Sequence, residues 1–430
     1  MMIYLRHYVY ALIPLLLLMT SCGGGDPTDP GNGPRIRPEV VTSNSAGELN
    51  TTFDVEWTDN TVVLDETAVR EIEVDTNTQT YYLPDNISEA KNLKAGDVVV
   101  FTGVTFRKVK SVSVEDGDIA IETEDALLTD AIKNGKVEWE FKPDFESAPP
   151  PEITIGDEII PAGKMIYNPA RSFDFKLSKY DFSFEVGCEK PDQLSVSVTG
   201  KDPAGLTEYK VTGEVSEFTG KGSFQILDQE LQSFEYVIND VNATLRKEMT
   251  VGSDILSTPE LPVTLFQFPF LVGPLPMKLK FPLVFAAAMQ LPLGGKVTIG
   301  TTTDYEVDIG YRFTPPDKFN LIFNKKFVSQ EADSIRIVPN AAGFAEYAIA
   351  FPRVEWSFLG YDKIAYYIQL AYLLRGSYSQ NDLAGNTCEQ GVRTFAGVGG
   401  FFLNLFDVIE RGWDVQLFVI DDVFYEEGCD

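Results

Sequence analysis

Histidine is all but missing from these 430 residues: the one present is His7, near the start. Its scarcity excludes a Ser-His-Asp or Cys-His nucleophile system, a His-ligated metal and an imidazole acid–base pair. Cysteine is scarce too, at positions 22, 188, 388 and 429. No two of them are close enough in sequence to suggest a thiolate metal set. Positive charge is the third shortage, 35 Lys plus Arg against 64 Asp plus Glu, a formal net charge of -29. Phosphate recognition needs clustered Lys and Arg, so nucleic acid is excluded as a partner. Adsorption to anionic lipid headgroups is disfavoured for the same reason. No heptad pattern, long amphipathic helix or self-similar period is found, which removes coiled coils, propellers and solenoids. The glycine-rich run Ala396-Gly397-Val398-Gly399-Gly400 is not followed by Lys-Ser/Thr and fits a turn or bulge better than a phosphate cradle. No cofactor is implied.

What is present is enough apolar material for a core, with 44% hydrophobic and 12% aromatic residues. It is arranged at period two. Phe53-Val55-Trp57 alternates with Asp54 and Glu56, the pattern of a half-buried strand. Val98–Phe101 and Phe106–Val114 follow, and Val112 and Val114 are joined to Ile119 and Ile121 across Glu115-Asp116-Gly117-Asp118. Asp-Gly between alternating apolar residues is a strong hairpin signal. A short helix is expected over Glu124–Lys133, with Thr123 as cap and Asn134-Gly135 as stop. Further alternations lie at 173–177, 180–186, 194–198 and 305–313. The expected class is mainly β: antiparallel β-sandwich or open-barrel-like domains, with one short helix in the N-terminal module.

The N-terminus carries the most specific motif. Arg6 and His7 precede an apolar run from Val9 to Met19, too short for a stable spanning helix, and then Thr20-Ser21-Cys22. The run Leu18-Met19-Thr20-Ser21-Cys22 resembles the lipobox of bacterial lipoproteins. That resemblance implies cleavage after Ser21, diacylglycerol on the Cys22 thiol, and palmitate-type acylation of the new amino group, which together suffice for stable anchoring. Gly23 in place of Asp favours the outer membrane under the sorting rule of enteric bacteria, with the periplasmic or outer side left open. Gly23–Pro38 is rich in Gly and Pro and reads as a flexible tether. The expected organisation is a signal peptide at 1–21, a tether at 22–45, a small β module at 46–145 and a larger β-rich domain at 152–430, with Pro143–Pro151 between the last two. An exported compartment permits disulfides, and Cys388 with Cys429 is the pairing expected, since it would tie down the C-terminus.

Three further features bear on function. From Leu261 to Thr303 there is no Asp or Glu, and 261–294 carries only Lys278 and Lys280 as charges among six prolines. The prolines exclude a spanning helix. Strands buried in the larger core, or an exposed apolar surface for lipid or a partner, are the two readings. Each Trp has an acidic neighbour, as in Glu56-Trp57, Glu138-Trp139-Glu140, Glu355-Trp356 and Trp413-Asp414, which invites a glycosidase reading. Adjacent side chains in a strand point to opposite faces, however, so Trp inward and acid outward is the simpler expectation. Finally, Asp304, Glu306 and Asp308 form a carboxylate ladder on one strand face, a weak candidate for Ca²⁺. The function these readings favour is a lipid-anchored, non-enzymatic cell-envelope protein that binds a protein or glycan ligand or serves a structural role. A carboxylate-dependent glycan-active enzyme is the first alternative. A lipid-handling or membrane-embedded β protein is the second.

Overall fold

The structure, a computed structural model, describes residues 35–42, 46–147, 153–155, 158–160, 172–177, 180–202, 204, 207–251, 255–257, 261–290, 296–315, 318–338, 343–358, 365–379, 387–401 and 412–427. Strands dominate. Strand β1 (Gly47–Trp57) is followed by a small α/β unit: β2 (Thr61–Leu64), helix α1 (Glu66–Val69), β3 (Glu73–Asp75), β4 (Thr80–Pro84), helix α2 (Ser88–Lys91), β5 (Val98–Phe101), β6 (Thr105–Glu115) and β7 (Asp118–Glu124). Helix α3 (Leu128–Ala131) leads to β8 (Ile132–Pro143), and β9 (Ile153–Ile155) and β10 (Glu158–Ile160) form a separate ribbon. Six strands come next: β11 (Ser172–Leu177), β12 (Tyr180–Lys190), β13 (Gln193–Lys201), β14 (Thr207–Ser216), β15 (Thr219–Leu227) and the 22-residue β16 (Glu230–Val251). The remainder comprises β17 (Ile255–Ser257), β18 (Leu261–Val272), β19 (Leu275–Gln290), β20 (Lys296–Thr314), β21 (Lys318–Val338), β22 (Gly343–Phe358), β23 (Ala365–Ser379), β24 (Thr387–Phe401) and β25 (Gly412–Glu427).

These strands assort into two large antiparallel sheets that face each other and one small sheet. The first large sheet runs β1-β8-β15-β16-β14-β13-β12-β11, with β20 on the other side of β16 and β21 beyond β20. The second runs β17-β19-β22-β23-β24-β25, with β18 also on β19. Strand β16 can serve two ribbons because it changes register between Ile238 and Val241, where Asp240 takes φ 57. Its first half pairs β15 and its second half pairs β14. Aromatic side chains fill the space between the sheets. Phe141 stacks on Phe270 at 4.7 Å, Phe145 meets Phe266 and Phe281 at 5.4 and 5.2 Å, and Trp139 meets Trp356 edge-on at 5.9 Å. This is the mainly antiparallel, sandwich-like class expected from the alternation.

The small sheet, ordered β2-β5-β6-β7-β4-β3, has its own apolar core around Leu83, Val99, Phe101 and Ile121. Here the expected 46–145 unit is divided: β1 and β8 lie in the large sheet, and the small sheet occupies only 61–124. The reason is packing. Val137, Trp139 and Phe141 on β8 pack into the large inter-sheet core, beside Val98, Val100 and Phe106 of the small sheet. Thr58 clamps the two connections, its N–H donating to Ala131 C=O at 2.9 Å and its hydroxyl to Asp130 C=O at 2.9 Å.

The Asp-Gly hairpin forms as expected, with Glu115 opposite Asp118 and both Asp116 and Gly117 at positive φ, 54° and 94°, the geometry of a primed turn. The expected helix over 124–133 shortens to one turn. Glu124 pairs with Lys108 in the sheet, Thr123 bonds Gln79 C=O rather than capping, and β8 claims everything from Ile132. The two other short helices, α1 and α2, were not expected. Asp65 caps α1, accepting from Thr67 and Ala68 N–H at 3.0 and 2.9 Å.

The acid-free stretch supplies β18 and β19 at one edge of the second sheet and the start of β20 in the first. Phe266, Phe268, Phe270 and Phe281 are at most 2% exposed in the inter-sheet core, while Lys278 and Lys280 lie half-buried on the other face. The Phe285 side chain lies outside the described residues. Among the described residues, no helix is long and apolar enough to cross a membrane.

Candidate functional site

An open groove of ≈ 360 Å³ crosses four neighbouring strands of the first sheet. Asn50, Thr51 and Thr52 come from β1, Glu138, Trp139 and Glu140 from β8, Lys221, Gly222 and Ser223 from β15, and Glu235 from β16. Strand register sets the rows: Thr52, Glu138, Ser223, Glu235 and Arg312 stand side by side, as do Asn50, Glu140 and Lys221. Gly222 contributes only backbone to the groove's floor. Between Trp139 and Tyr236 in register, it faces the core, and the Trp139 indole lies directly beneath it.

The groove's carboxylates are matched one by one with cations. Lys136 lies 2.7 Å from Glu138, Lys221 lies 2.8 Å from Glu140, and Arg312 donates to Glu235. Glu235 holds the Arg312 guanidinium above its ordinary value, by hydrogen bonding first and charge second. The pairs are about half exposed, so each adds roughly 0–1 kcal/mol. Glu138 and Glu140 lie about 6–7 Å apart along β8, and Glu138 and Glu235 about 10 Å apart across two strand spacings. Those separations come near the range used for glycosidic bonds. A glycosidase acid must be kept protonated by burial or by a neighbouring carboxylate; these three are open to solvent beside Lys or Arg.

The other tryptophans follow the expected geometry. Trp356 is 1% exposed and Trp57 half-buried against Phe53 at 5.8 Å. Their acidic neighbours face outward, Glu56 to Lys133 and Asn134 at 2.7 Å each, and Glu355 to Arg353. The Glu56 carboxyl is held below its ordinary value, chiefly by the Lys133 hydrogen bond and then that of Asn134. Trp413 side-chain surroundings lie outside the described residues.

Asp304, Glu306 and Asp308 do share the solvent side of β20, alternating with buried Tyr305, Val307 and Ile309. Two of them have structural tasks: Asp304 accepts from Thr244 Oγ1 at 2.6 Å, and Asp308 accepts the Asp240 N–H at 2.9 Å where β16 shifts register. Among the described residues, no three Asp, Glu, Cys or His side chains converge as metal ligands would. Cys388 sits in β24 opposite Glu426, but Cys429 lies outside the described residues, as does Cys22, so neither the disulfide nor the lipidation reading meets any geometry. The half-buried Cys188 thiol donates to Phe145 C=O at 3.4 Å.

Several polar groups in the core were not flagged from sequence. Lys247 is 0% exposed and donates to Thr303 Oγ1 at 2.9 Å. Arg107, 3% exposed, donates to Thr123 Oγ1 at 3.2 Å and to Asp125. The Tyr236 hydroxyl is buried without a hydrogen-bond partner, and burial pushes its ionisation well above the ordinary tyrosine value. Gly220 and Gly222, two apart on β15, leave room on the inner face for Tyr236 and Trp139 of the flanking strands, a feature of the core under the groove.

No protein-family model matches the chain, and neither the curated proteins nor the solved structures compared with it give a match.

Proposed function

We propose that this chain is a lipid-anchored, non-enzymatic protein of the bacterial cell envelope, held through Cys22 in the outer membrane. Its β body presents a polar groove to a protein or glycan ligand. The observation that carries the binding reading is the groove's charge arrangement: Glu138, Glu140 and Glu235, each beside its own Lys136, Lys221 or Arg312 on an open sheet face. Such a surface supplies acceptors and donors in equal measure with Asn50, Thr51, Thr52 and Ser223 among them. The burial of Phe266, Phe268 and Phe270 between the sheets weighs against using that stretch to hold lipid.

Two measurements test this. Metabolic labelling with a palmitate analogue should mark the wild-type chain and not Cys22→Ser. The soluble form lacking residues 1–22, offered envelope polysaccharides and peptidoglycan, should retain a ligand unchanged and lose it when Glu140 and Lys221 are exchanged. Release of shortened glycan would overturn the reading in favour of the carboxylate enzyme.

A further inference from the structure

The first described residues are fastened down. The Arg35 guanidinium lies 3.6 Å over the Tyr82 ring and donates to Asp118 at 3.1 Å, with Asp116 at 3.8 Å. Ile36 exchanges backbone hydrogen bonds with Val74 in both directions, at 2.9 and 2.8 Å. Glu39 accepts from Lys278 at 3.2 Å, and Val41 N–H donates to Gly103 C=O at 2.8 Å. Residues 35–41 are therefore a strap that crosses the small sheet and reaches β19.

The small unit also occupies one end of the β body. Gly103 N–H donates to Pro274 C=O in the β18–β19 turn at 3.2 Å, and Phe106 packs edge-on against Phe358, the last residue of β22, at 6.1 Å. Gln229, at the turn before β16, donates to Lys133 C=O at the start of β8. From that end β16 runs its 22 residues to Val251, about 70 Å at 3.3 Å per residue. Lys201 lies at the opposite end, since it pairs with Glu208, which pairs with Thr250.

Resting on the Cys22 reading, we propose that the small unit is the end of the molecule that faces the bilayer, with the β body projecting away from it. Thirteen peptide links separate Cys22 from Arg35, a lead of at most about 45 Å. That is shorter than the β body is long, and it emerges beside the Asp116-Gly117 hairpin tip. The lead determines which end is near. The groove, close to the β16 start, then opens sideways rather than toward lipid.

The test uses acylated full-length protein in phosphatidylethanolamine–phosphatidylglycerol vesicles carrying a headgroup acceptor dye. Donor dyes are placed at Val114→Cys, beside the hairpin tip, or at Lys201→Cys, with Cys188, Cys388 and Cys429 changed to Ser. Energy transfer should be at least twofold higher from position 114. Releasing the strap with Arg35→Ala and Ile36→Gly should narrow that difference without changing vesicle flotation. As a check without added cysteines, a polymer-bound amine reagent should modify Lys110 at least twofold more slowly on vesicles than in solution, and Lys201 equally in both. Equal or reversed transfer in protein that floats with vesicles would overturn the orientation alone. Failure to float, or flotation undiminished in Cys22→Ser, would overturn the anchoring reading and the orientation with it.

Discussion

Gly222→Ala should destabilise this protein although alanine is the better strand residue. On intrinsic preference alone, replacing a strand glycine would gain about 0.5–1 kcal/mol. Gly222, however, sits on the Trp139 indole: a Cβ there would lie 2.7 Å from Cη2 and closer still to Cζ2 and Cε2, where carbon atoms pack at about 3.5–4.0 Å. The ring would have to retreat by about 1 Å or more, and its surroundings oppose that. Trp139 is 4% exposed, wedged between Phe224 at 6.4 Å and Trp356 at 5.9 Å, and Trp356 is itself backed by Phe234 and Tyr236. Overpacking of this kind costs about 1–3 kcal/mol, enough to outweigh the propensity gain and reverse the sign. Urea unfolding followed by circular dichroism should show a lower midpoint at unchanged slope. The decisive comparison is a double-mutant cycle with Trp139→Phe, which removes the six-membered indole ring that the Cβ strikes. In that background Gly222→Ala should be neutral or stabilising. An undiminished cost there, or a raised midpoint in the single variant, would refute the reasoning.

Tyr236→Phe should be neutral or stabilising by about 1 kcal/mol, because it deletes a buried hydroxyl that has no partner; a loss of more than that in the urea midpoint would reveal a bond now uncounted. Thr303→Val should cost about 1–3 kcal/mol by removing an acceptor from the buried Lys247 ammonium, and a neutral result would show the hydroxyl to be dispensable. Gly117→Val should lower the unfolding free energy by about 1 kcal/mol or more, since φ 94° suits glycine and not a β-branched residue; a lowered midpoint in thermal unfolding of the single variant checks it. Asp144 has its carboxyl held below the ordinary 3.8, first by the Ser147 hydroxyl and then by the Ser147 and Glu146 N–H groups. Its contribution is therefore present above that value and lost as pH falls through the lowered one. The stability gap between wild type and Asp144→Ala, measured by urea titration from pH 6 to pH 2.5, should be constant at the upper end and shrink below about pH 4.

Where one face of a strand meets the core and the other meets water, the sequence told the strand's orientation, because polar and apolar residues then alternate by necessity. Phe53-Val55-Trp57, Tyr305-Val307-Ile309 and the Asp116-Gly117 turn are of this kind. Which sheet a strand joins is another matter. Nothing local in β8 says that it pairs with β1 and β15 rather than with the adjacent small unit, since that is decided by the core that Trp139 and Phe141 help to fill. The helix over 124–133 failed because cap and stop residues were present while the sheet on either side offered more burial. The groove was the least legible, since Glu138, Ser223 and Glu235 become neighbours only through the registers of three strands. Asp308 read as a ligand candidate and turned out to satisfy a backbone N–H at a register shift, a demand that no pattern of carboxylates along one strand can reveal.

The insertion of the small unit between β1 and β8 has a consequence for how the chain can fold. Trp57 and Ile132 pair across the 74 residues from 58 to 131. Closing that span as a loose loop costs more than closing the roughly ten residues left once 61–124 has folded, a difference of about 2 kcal/mol. During synthesis β1 therefore waits as a strand without its neighbour until the unit behind it is complete and β8 has followed. A lone strand with an open edge invites pairing with other chains. The residues that stand out from β1, Glu48, Asn50, Thr52, Asp54 and Glu56, give the waiting strand a charged, hydrated side on which such pairing is discouraged.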